Sequence, residues 1–379
     1  MDLTLGKRLR ELPGPIMVTG HTGFKGTWLT LLLEQLKISV VGYSLPPEKD
    51  SLFERSDRAG AIPETFAEIR DQKSVKRFME EHNPSVVVHL AAQPIVLQSY
   101  KFPLDTFEIN VMGTANILTS AFATNSVKAI GVITTDKVYR NDNSGHAFIE
   151  SDALSGKDPY SASKVGTESV VAAWQQIKKQ SEGPHIISLR AGNVIGGGDW
   201  ASDRLIPDLV RAFITKSKIV LRNPESTRPW QHVLDPLVGY LMAIERVLEG
   251  EVIEALNFGP DSKSLSVKQI AEISSMTWPY QSEIDSLRKN SGKNLETFSL
   301  ELDSSLARKI LNWSPIWSQE EAVIKTINWW DDVLNNGVKP DIACGQDIDF
   351  MLKNLSNSPL IIGESGPLAV NNYLKERDI

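Results

Sequence analysis

Tyr160 and Lys164 stand four residues apart in Tyr160-Ser161-Ala162-Ser163-Lys164, so a helix there would carry a phenol and an ammonium on one face. A neighbouring cation stabilises phenolate and draws a tyrosine pKa of about 10 toward neutrality, which suits the phenol to act as a general base on an alcohol. Thr135-Asp136-Lys137 forms a second cluster. Its hydroxyl could hold a reacting oxygen, and the adjacent Asp136 and Lys137 would be unusual as inert core. Burying both charges is costly unless they pair, so a surface turn with a salt bridge is the competing reading. A third group, Gly20, Gly23 and Gly26, repeats every three residues. Such a turn lets backbone approach a pyrophosphate at a helix N-terminus, or else it simply packs tightly.

These residues do nothing unless a scaffold brings them together, and the chain order supplies one. Short β-branched runs at 16–19, 39–43, 85–90, 128–134 and 186–191 alternate with helical patterns at 24–36, 72–82, 104–123 and 160–179. That alternation predicts an α/β fold with a doubly wound parallel Rossmann-type sheet and ligands at the carboxyl ends of the strands. The glycine turn then joins the first strand to the first helix. Thr135 ends the strand that precedes the Tyr160 helix. Beyond Ala191, residues 192–236 are rich in Gly, Pro, Trp and Arg, as binding loops often are. Helical patterns at 265–277 and 319–334 predict a smaller C-terminal α/β domain. The expected division is 15–191 with a strand and helix returning around 233–260, then 192–232 with 261–335, then a tail at 336–379 of unreadable role.

Composition narrows the class. The 379-residue chain carries a net charge of −7, which argues against a nucleic-acid partner. A single cysteine, Cys344, allows no internal disulfide, and the N-terminus has charges where a signal peptide is apolar. No run reaches the roughly 18 apolar residues of a membrane span. A cytoplasmic protein with no membrane partner is expected.

The motifs together resemble the extended short-chain dehydrogenase/reductase family, and within it the nucleotide-sugar 4,6-dehydratases, with the CDP-glucose branch most similar. The resemblance is carried by 19–26 (TGHTGFKG), 91–94 (AAQP), 110–113 (NVMG) and 135–139 (TDKVY). It continues with 190–207 (RAGNVIGGGDWASDRLIP) and 222–234 (RNPESTRPWQHVL) and runs from about Ile16 to Trp330. It implies NAD as cofactor, held by Gly20, Gly23, Phe24, Lys25 and Gly26, by Leu90, Ala91, Ala92 and Gln93 across the sheet edge, and by Tyr160 and Lys164. Glu68 and Ile69 match the pair that reads adenine. The second strand ends without an acid for the ribose hydroxyls, so NAD rather than NADP rests on the resemblance alone.

By the same resemblance the substrate, a nucleotide-diphosphate sugar and preferably CDP-glucose, lies along Asn110, Asn193, Arg204, Leu205, Ile206, Arg222 and Arg228. The catalytic set is Thr135, Asp136, Lys137, Tyr160 and Lys164. Tyr160 takes the proton from the sugar 4-hydroxyl, water leaves across carbons 5 and 6 with Asp136 as acid, and hydride returns to carbon 6. Lys137 stands where the wider group carries Glu. A structural role is as fitting for His232 as a functional one. The helices at 104–123 and 160–179 match a pair that builds a homodimer, with a tetramer as the larger alternative. An epimerase would need Tyr160 and Lys164 but not Asp136, and an NAD-sensing protein would have no need to keep Thr135, Tyr160 and Lys164. Departures from the branch are the polar loop 140–158, Leu97 in place of Arg, and the long C-terminus.

Overall fold

The computed structural model describes residues 5–221, 223–280, 284–286 and 299–357. Seven strands make one parallel sheet: β1 (Ile16–Thr19), β2 (Val40–Ser44), β3 (Glu64–Phe66), β4 (Val86–His89), β5 (Ala129–Thr135), β6 (His185–Ala191) and β7 (Ala255–Phe258), in the order β7-β6-β5-β4-β1-β2-β3. Order reverses between β1 and β4, so both strands deliver their carboxyl ends to one crevice, where open α/β sheets bind ligands. The expected doubly wound parallel sheet is what the structure shows.

The strands read as continuous apolar runs because both faces are covered. Ile16 and Val18 enter one core and Met17 the other. Val86 and Val88 likewise oppose Val87. One face carries helix α1 (Phe24–Gln35), and the other carries α2 (Gln72–His82), α3 (Gly113–Phe122) and α4 (Pro159–Gln180). After β6 come α5 (Leu205–Thr215), α6 (Leu234–Leu248), α7 (Val267–Thr277) and α8 (Gln319–Leu334).

Register matters most at β5. Its pairing with β4 ends at His89 opposite Val132, whereas its pairing with β6 continues to Thr135 opposite Ala191. Ile133, Thr134 and Thr135 therefore project past β4 on a ledge shared with β6. Opposite this ledge α4 begins. Asp158 accepts from the Ser161 amide at 2.9 Å while its own amide donates to Ser161 Oγ at 3.0 Å, and Pro159 fills the first turn. This cap fixes where Tyr160 enters.

Two expectations change. The single helix expected at 104–123 is three pieces, with Pro103–Phe107 and α3 flanking a π-helical turn at Glu108–Met112. The wider turn carries Asn110, whose carbonyl accepts from Thr114 Oγ1 and Thr167 Oγ1 at 2.7 and 2.8 Å. The stretch read as a tail contains α9 (Pro340–Asn357), which packs against α1 and α8. Cys344, Ile348 and Met351 join the core there, so α1 is covered on its outer side. Among the described residues no helix is long and apolar enough to cross a membrane.

If α9 is part of the folded unit, Ile348→Ala should lower unfolding stability by about 2–5 kcal/mol, as for other buried aliphatic truncations. Urea denaturation measures it, and an unchanged midpoint would mark α9 as dispensable.

Candidate active site

The turn after β1 is shaped by two glycines. Gly20 has φ +72°, and a Cβ there would lie 2.9 Å from the Ala91 backbone. At Gly26 a Cβ would come within 2.1 Å of the Gly20 carbonyl oxygen. Gly23 is exposed and caps α1 with no side chain, which leaves a bare helix N-terminus facing outward. Thr19 ties this turn to the next strand end: its Oγ1 lies 2.7 Å from His89 Nδ1 and accepts from the Ala91 amide at 3.2 Å. Leu90, Ala91, Ala92 and Gln93 are each half-buried beside it. A glycine cradle, an uncapped N-terminus and a row of mostly small residues fit a dinucleotide pyrophosphate. At the end of β2, Ser44 hydrogen-bonds Thr22 at 2.8 Å, and Glu64 of β3 is held by His21 at 2.7 Å.

At the adenine end, Glu68 accepts from Arg70 at 2.9 Å, and Arg70 also reaches Asp105 and Glu108. Ile69 is buried, facing Gly113. Lys25 is half-buried with its ammonium 5.9 Å from the Tyr240 ring centre. Loss of water and the cations Arg204 and Lys164 push it down to about 7. Asp136 and Lys137 also act on it, so Lys25 shares the field of the catalytic cluster.

That cluster stands on the β5 ledge. Thr135 Oγ1 donates to Asp136 Oδ1 at 2.8 Å, and Lys137 Nζ donates to the same oxygen at 3.4 Å. Asp136 is fully buried, and its Oδ2 has no hydrogen-bond partner among the described residues. An unpartnered buried carboxylate oxygen is expensive in a finished core, so the atom is available to a ligand. Lys137 Nζ also reaches Asn193 Oδ1 at 3.4 Å. Tyr160, buried at the start of α4, is pushed up to about 12 by burial, while a hydrogen bond with Thr135 works the other way. Lys164 lies one turn later and donates to the Ile133 carbonyl at 3.2 Å. The structure thus gathers Thr135, Asp136, Lys137, Tyr160 and Lys164.

Sequence reasoning missed the carboxylate behind them. Glu168 Oε1 accepts from Thr134 Oγ1 at 2.5 Å, Ser188 Oγ at 2.6 Å and Arg190 Nε at 3.0 Å, and Oε2 accepts from Arg190 Nη2 at 2.8 Å. Arg190 also donates to Tyr139 Oη at 2.9 Å, and Tyr139 donates to Asn257 Oδ1 at 2.6 Å. The available signal was spacing: Tyr160, Lys164 and Glu168 recur every four residues.

On the substrate side the expectations divide. Arg204 caps α5 and pairs with Asp199 at 3.0 Å. Leu205 is partly buried, but Ile206 is in the core, leaving its backbone for any ligand. Arg228 is buried and donates to the Thr227 carbonyl at 2.7 Å. Asn110 makes its side-chain bonds inside the protein: its amide donates to Ser163 Oγ and the Gln93 carbonyl at 2.8 and 3.1 Å and accepts from the Gln93 amide at 2.8 Å. It thereby braces the segment after β4 against α4. Arg222 lies outside the described residues. His232 is buried 4.4 Å from Trp317 and 5.8 Å from Trp28, ring centre to ring centre, a structural position.

Burial lowers Lys164 to about 8, against the pull of Glu168. An unfolded lysine keeps its proton to roughly pH 10.4. Between those values the unfolded chain holds the extra proton, so stability rises with pH; below about 8 the desolvation cost is fully present. Lys164→Met should therefore melt a few degrees higher than the wild type at pH 7, and this gain should shrink toward pH 10. A wild type that is the more stable at neutral pH contradicts this.

Comparison with known proteins agrees with this geometry. Residues 16–259 match the NAD dependent epimerase/dehydratase family. The CDP-glucose 4,6-dehydratase of Salmonella typhimurium is 39% identical over 323 residues, covering 83% of this chain and 89% of that one. The dTDP-glucose 4,6-dehydratase 1 of Escherichia coli is 26% identical over 345 residues, covering 83% and 92%. Among solved structures, DesIV from Streptomyces venezuelae, a dTDP-glucose 4,6-dehydratase with NAD and TYD bound, superposes with a TM-score of 0.72 at 21% identity over 86% and 99% of the chains. That last likeness is one of fold. With its sheet, its glycine turn and its relatives in agreement, the chain belongs to the NAD-dependent epimerase/dehydratase family.

Proposed function

We propose that the protein is a lyase that dehydrates a nucleotide-diphosphate hexose across carbons 5 and 6, with CDP-glucose as substrate and NAD as resident cofactor. The observation that carries the reading is the buried Asp136 beside Lys137, next to Thr135 and across from Tyr160 of α4. An epimerase has use for the phenol and ammonium but not for an acid there. The 39% identity to a CDP-glucose 4,6-dehydratase favours the same branch.

Gly20, Gly23 and Gly26 with Phe24 and Lys25 would hold the pyrophosphate end of the cofactor, Ala91–Gln93 its middle and Glu68–Ile69 its adenine. When bound, NAD supplies a reversible hydride acceptor. Tyr160 Oη removes the proton from the 4-hydroxyl, and Thr135 Oγ1 holds that oxygen. A phenol at about 12 needs added positive charge in the pocket to act near neutrality, which Lys164 and a cationic ring supply. The carbon-4 ketone acidifies the carbon-5 hydrogen. With the proton of the Lys137–Asp136 pair resting on Asp136, the free amine Lys137 Nζ takes the carbon-5 proton, and Asp136 gives its own to the carbon-6 hydroxyl, which departs as water; the proton held by Tyr160 restores the pair at the end of the cycle. The proton from carbon 5 is then returned as carbon 6 is reduced, so the product is a 4-keto-6-deoxy sugar with no net oxidation. Arg204 and Arg228, with Asn193 and the N-terminus of α5, would hold the nucleotide and its diphosphate, as guanidinium groups suit.

A homodimer is the assembly that fits. Phe102, Leu104 and Met112 are 56%, 71% and 56% exposed on the segment leading into α3, a run of apolar surface that a second copy would cover. Sedimentation of the wild type as a dimer and of Leu104→Asp as a monomer is expected; a monomeric wild type contradicts it.

The reaction is tested by adding CDP-, UDP- and dTDP-glucose separately and following loss of water by mass. Turnover of CDP-glucose is expected, and turnover of another nucleotide instead moves the substrate assignment. Asp136→Asn should cut dehydration by about 10²–10⁴-fold, the usual worth of a positioned proton donor, while reduction of bound cofactor by substrate persists. Retention of full dehydration by this variant would remove Asp136 from the mechanism.

A further inference from the structure

The catalytic helix carries one more buried charge behind Tyr160 and Lys164, the carboxylate of Glu168. It lies four residues after Lys164 on α4, and both are buried. Its carboxylate is filled by Thr134 on β5 and by Ser188 and Arg190 on β6. Lys164 meanwhile bonds to Ile133, the residue before Thr134. One helix face thus grips consecutive residues of the ledge, through an ammonium to a carbonyl and through a carboxylate to a hydroxyl. Arg190 extends the grip to Tyr139 and to the Glu150 carbonyl at 3.0 Å. Tyr139 directly follows the turn that carries Asp136 and Lys137.

We propose that Glu168 is a positioning residue for this reaction: it fixes the β5 ledge against α4 and supplies the negative charge that keeps Lys164 an ammonium beside Tyr160. The inference rests on the Tyr160–Lys164 chemistry of the proposed function, which a dehydratase and an epimerase share. A purely structural ion pair would serve as well with its charge anywhere in the core. Here the carboxylate sits one helical turn from the ammonium, with strand hydroxyls rather than a second base on its free lone pairs.

The other charges around Lys164 are few. Lys25 faces it from α1 and disfavours the ammonium, and His89 faces it from β4. Burial holds His89 near 3, so it is neutral and contributes no charge. On its own helix Lys164 has Tyr160 and Glu168, with Arg190 behind the latter. Among the described residues, Glu168 is the group that raises the proton affinity of Lys164 against burial.

The test is Glu168→Gln in the full chain, with kcat and KM measured across pH. Both product formation and the near-ultraviolet absorbance of reduced nicotinamide are read, so an enzyme with a different end product still reports. The alkaline limb of kcat should move about one pH unit toward neutrality, and kcat at neutral pH should fall about tenfold with KM nearly unchanged. Glu168→Asp, which keeps the charge, should restore the limb. A limb that stays in place while kcat falls only with the folded fraction overturns the proposal, and so does a limb that Asp leaves shifted. If Glu168→Gln does not fold, Thr134→Val removes one donor to the same carboxylate. It should lower kcat per folded molecule about tenfold or more with the limb unmoved, since a hydrogen bond to a charged group is worth about 1.5–3 kcal/mol; unchanged kcat per folded molecule contradicts the ledge argument. Failure of the wild type on CDP-glucose but not on another sugar counts against the proposed substrate alone.

Discussion

Taking charge out of water at one end of a parallel sheet is the constraint on which the rest of this structure depends. Lys164, Asp136, Glu168 and Arg190 are all buried within reach of the β5 ledge, and each would be prohibitively costly alone. Glu168 and Arg190 solve the problem internally with a two-point pair. Lys164 is only partly compensated, and Asp136 keeps one oxygen unsatisfied. The residual imbalance falls on the groups that chemistry would use. A network closed on one side and open on the other distinguishes a reaction site from a buried ion pair.

The scaffold that holds these charges also links the cofactor and substrate sides. Trp28 of α1 donates to the Gly197 carbonyl at 3.0 Å, and a Cβ at Gly197 would sit within 2 Å of the Trp329 ring, at 1.9 Å. At Gly198, with φ +82°, a Cβ would meet Leu52 at 2.5 Å. The loop after β6 is therefore seated directly on the helix whose N-terminus would hold a pyrophosphate. Its glycines are there because aromatic and aliphatic side chains occupy the space a side chain would need. On the other side of α1, α9 completes the cover, which makes the C-terminal helix part of the support for the site.

Much of this was legible in the sequence, for identifiable reasons. The doubly wound parallel sheet followed from apolar runs alternating with helical periods, though the short edge strand Glu64–Phe66 did not; Tyr160 and Lys164 were found by their helical spacing and Thr135 by its place at a strand end. Glu168 was not, since a carboxylate two turns further along a helix reads as a solvated face until β6 supplies Ser188 and Arg190. The bracing bonds of Asn110 were not legible, because its motif marks its position but not the direction of its amide. The π-helical turn has no periodic signature of its own. The helix α9 was missed because its apolar residues do not form one stripe: Ile342 and Phe350 stay exposed while Cys344, Ile348 and Met351 are buried.

The central claim is that Asp136 and Lys137 turn a shared oxidation at carbon 4 into loss of water at carbons 5 and 6. CDP-glucose carrying deuterium at carbon 4 tests it most directly. The account predicts a product lighter by one water with the deuterium in the methyl group at carbon 6. Product that retains the water, with deuterium back at carbon 4 in the inverted configuration, would contradict it and make the enzyme an epimerase.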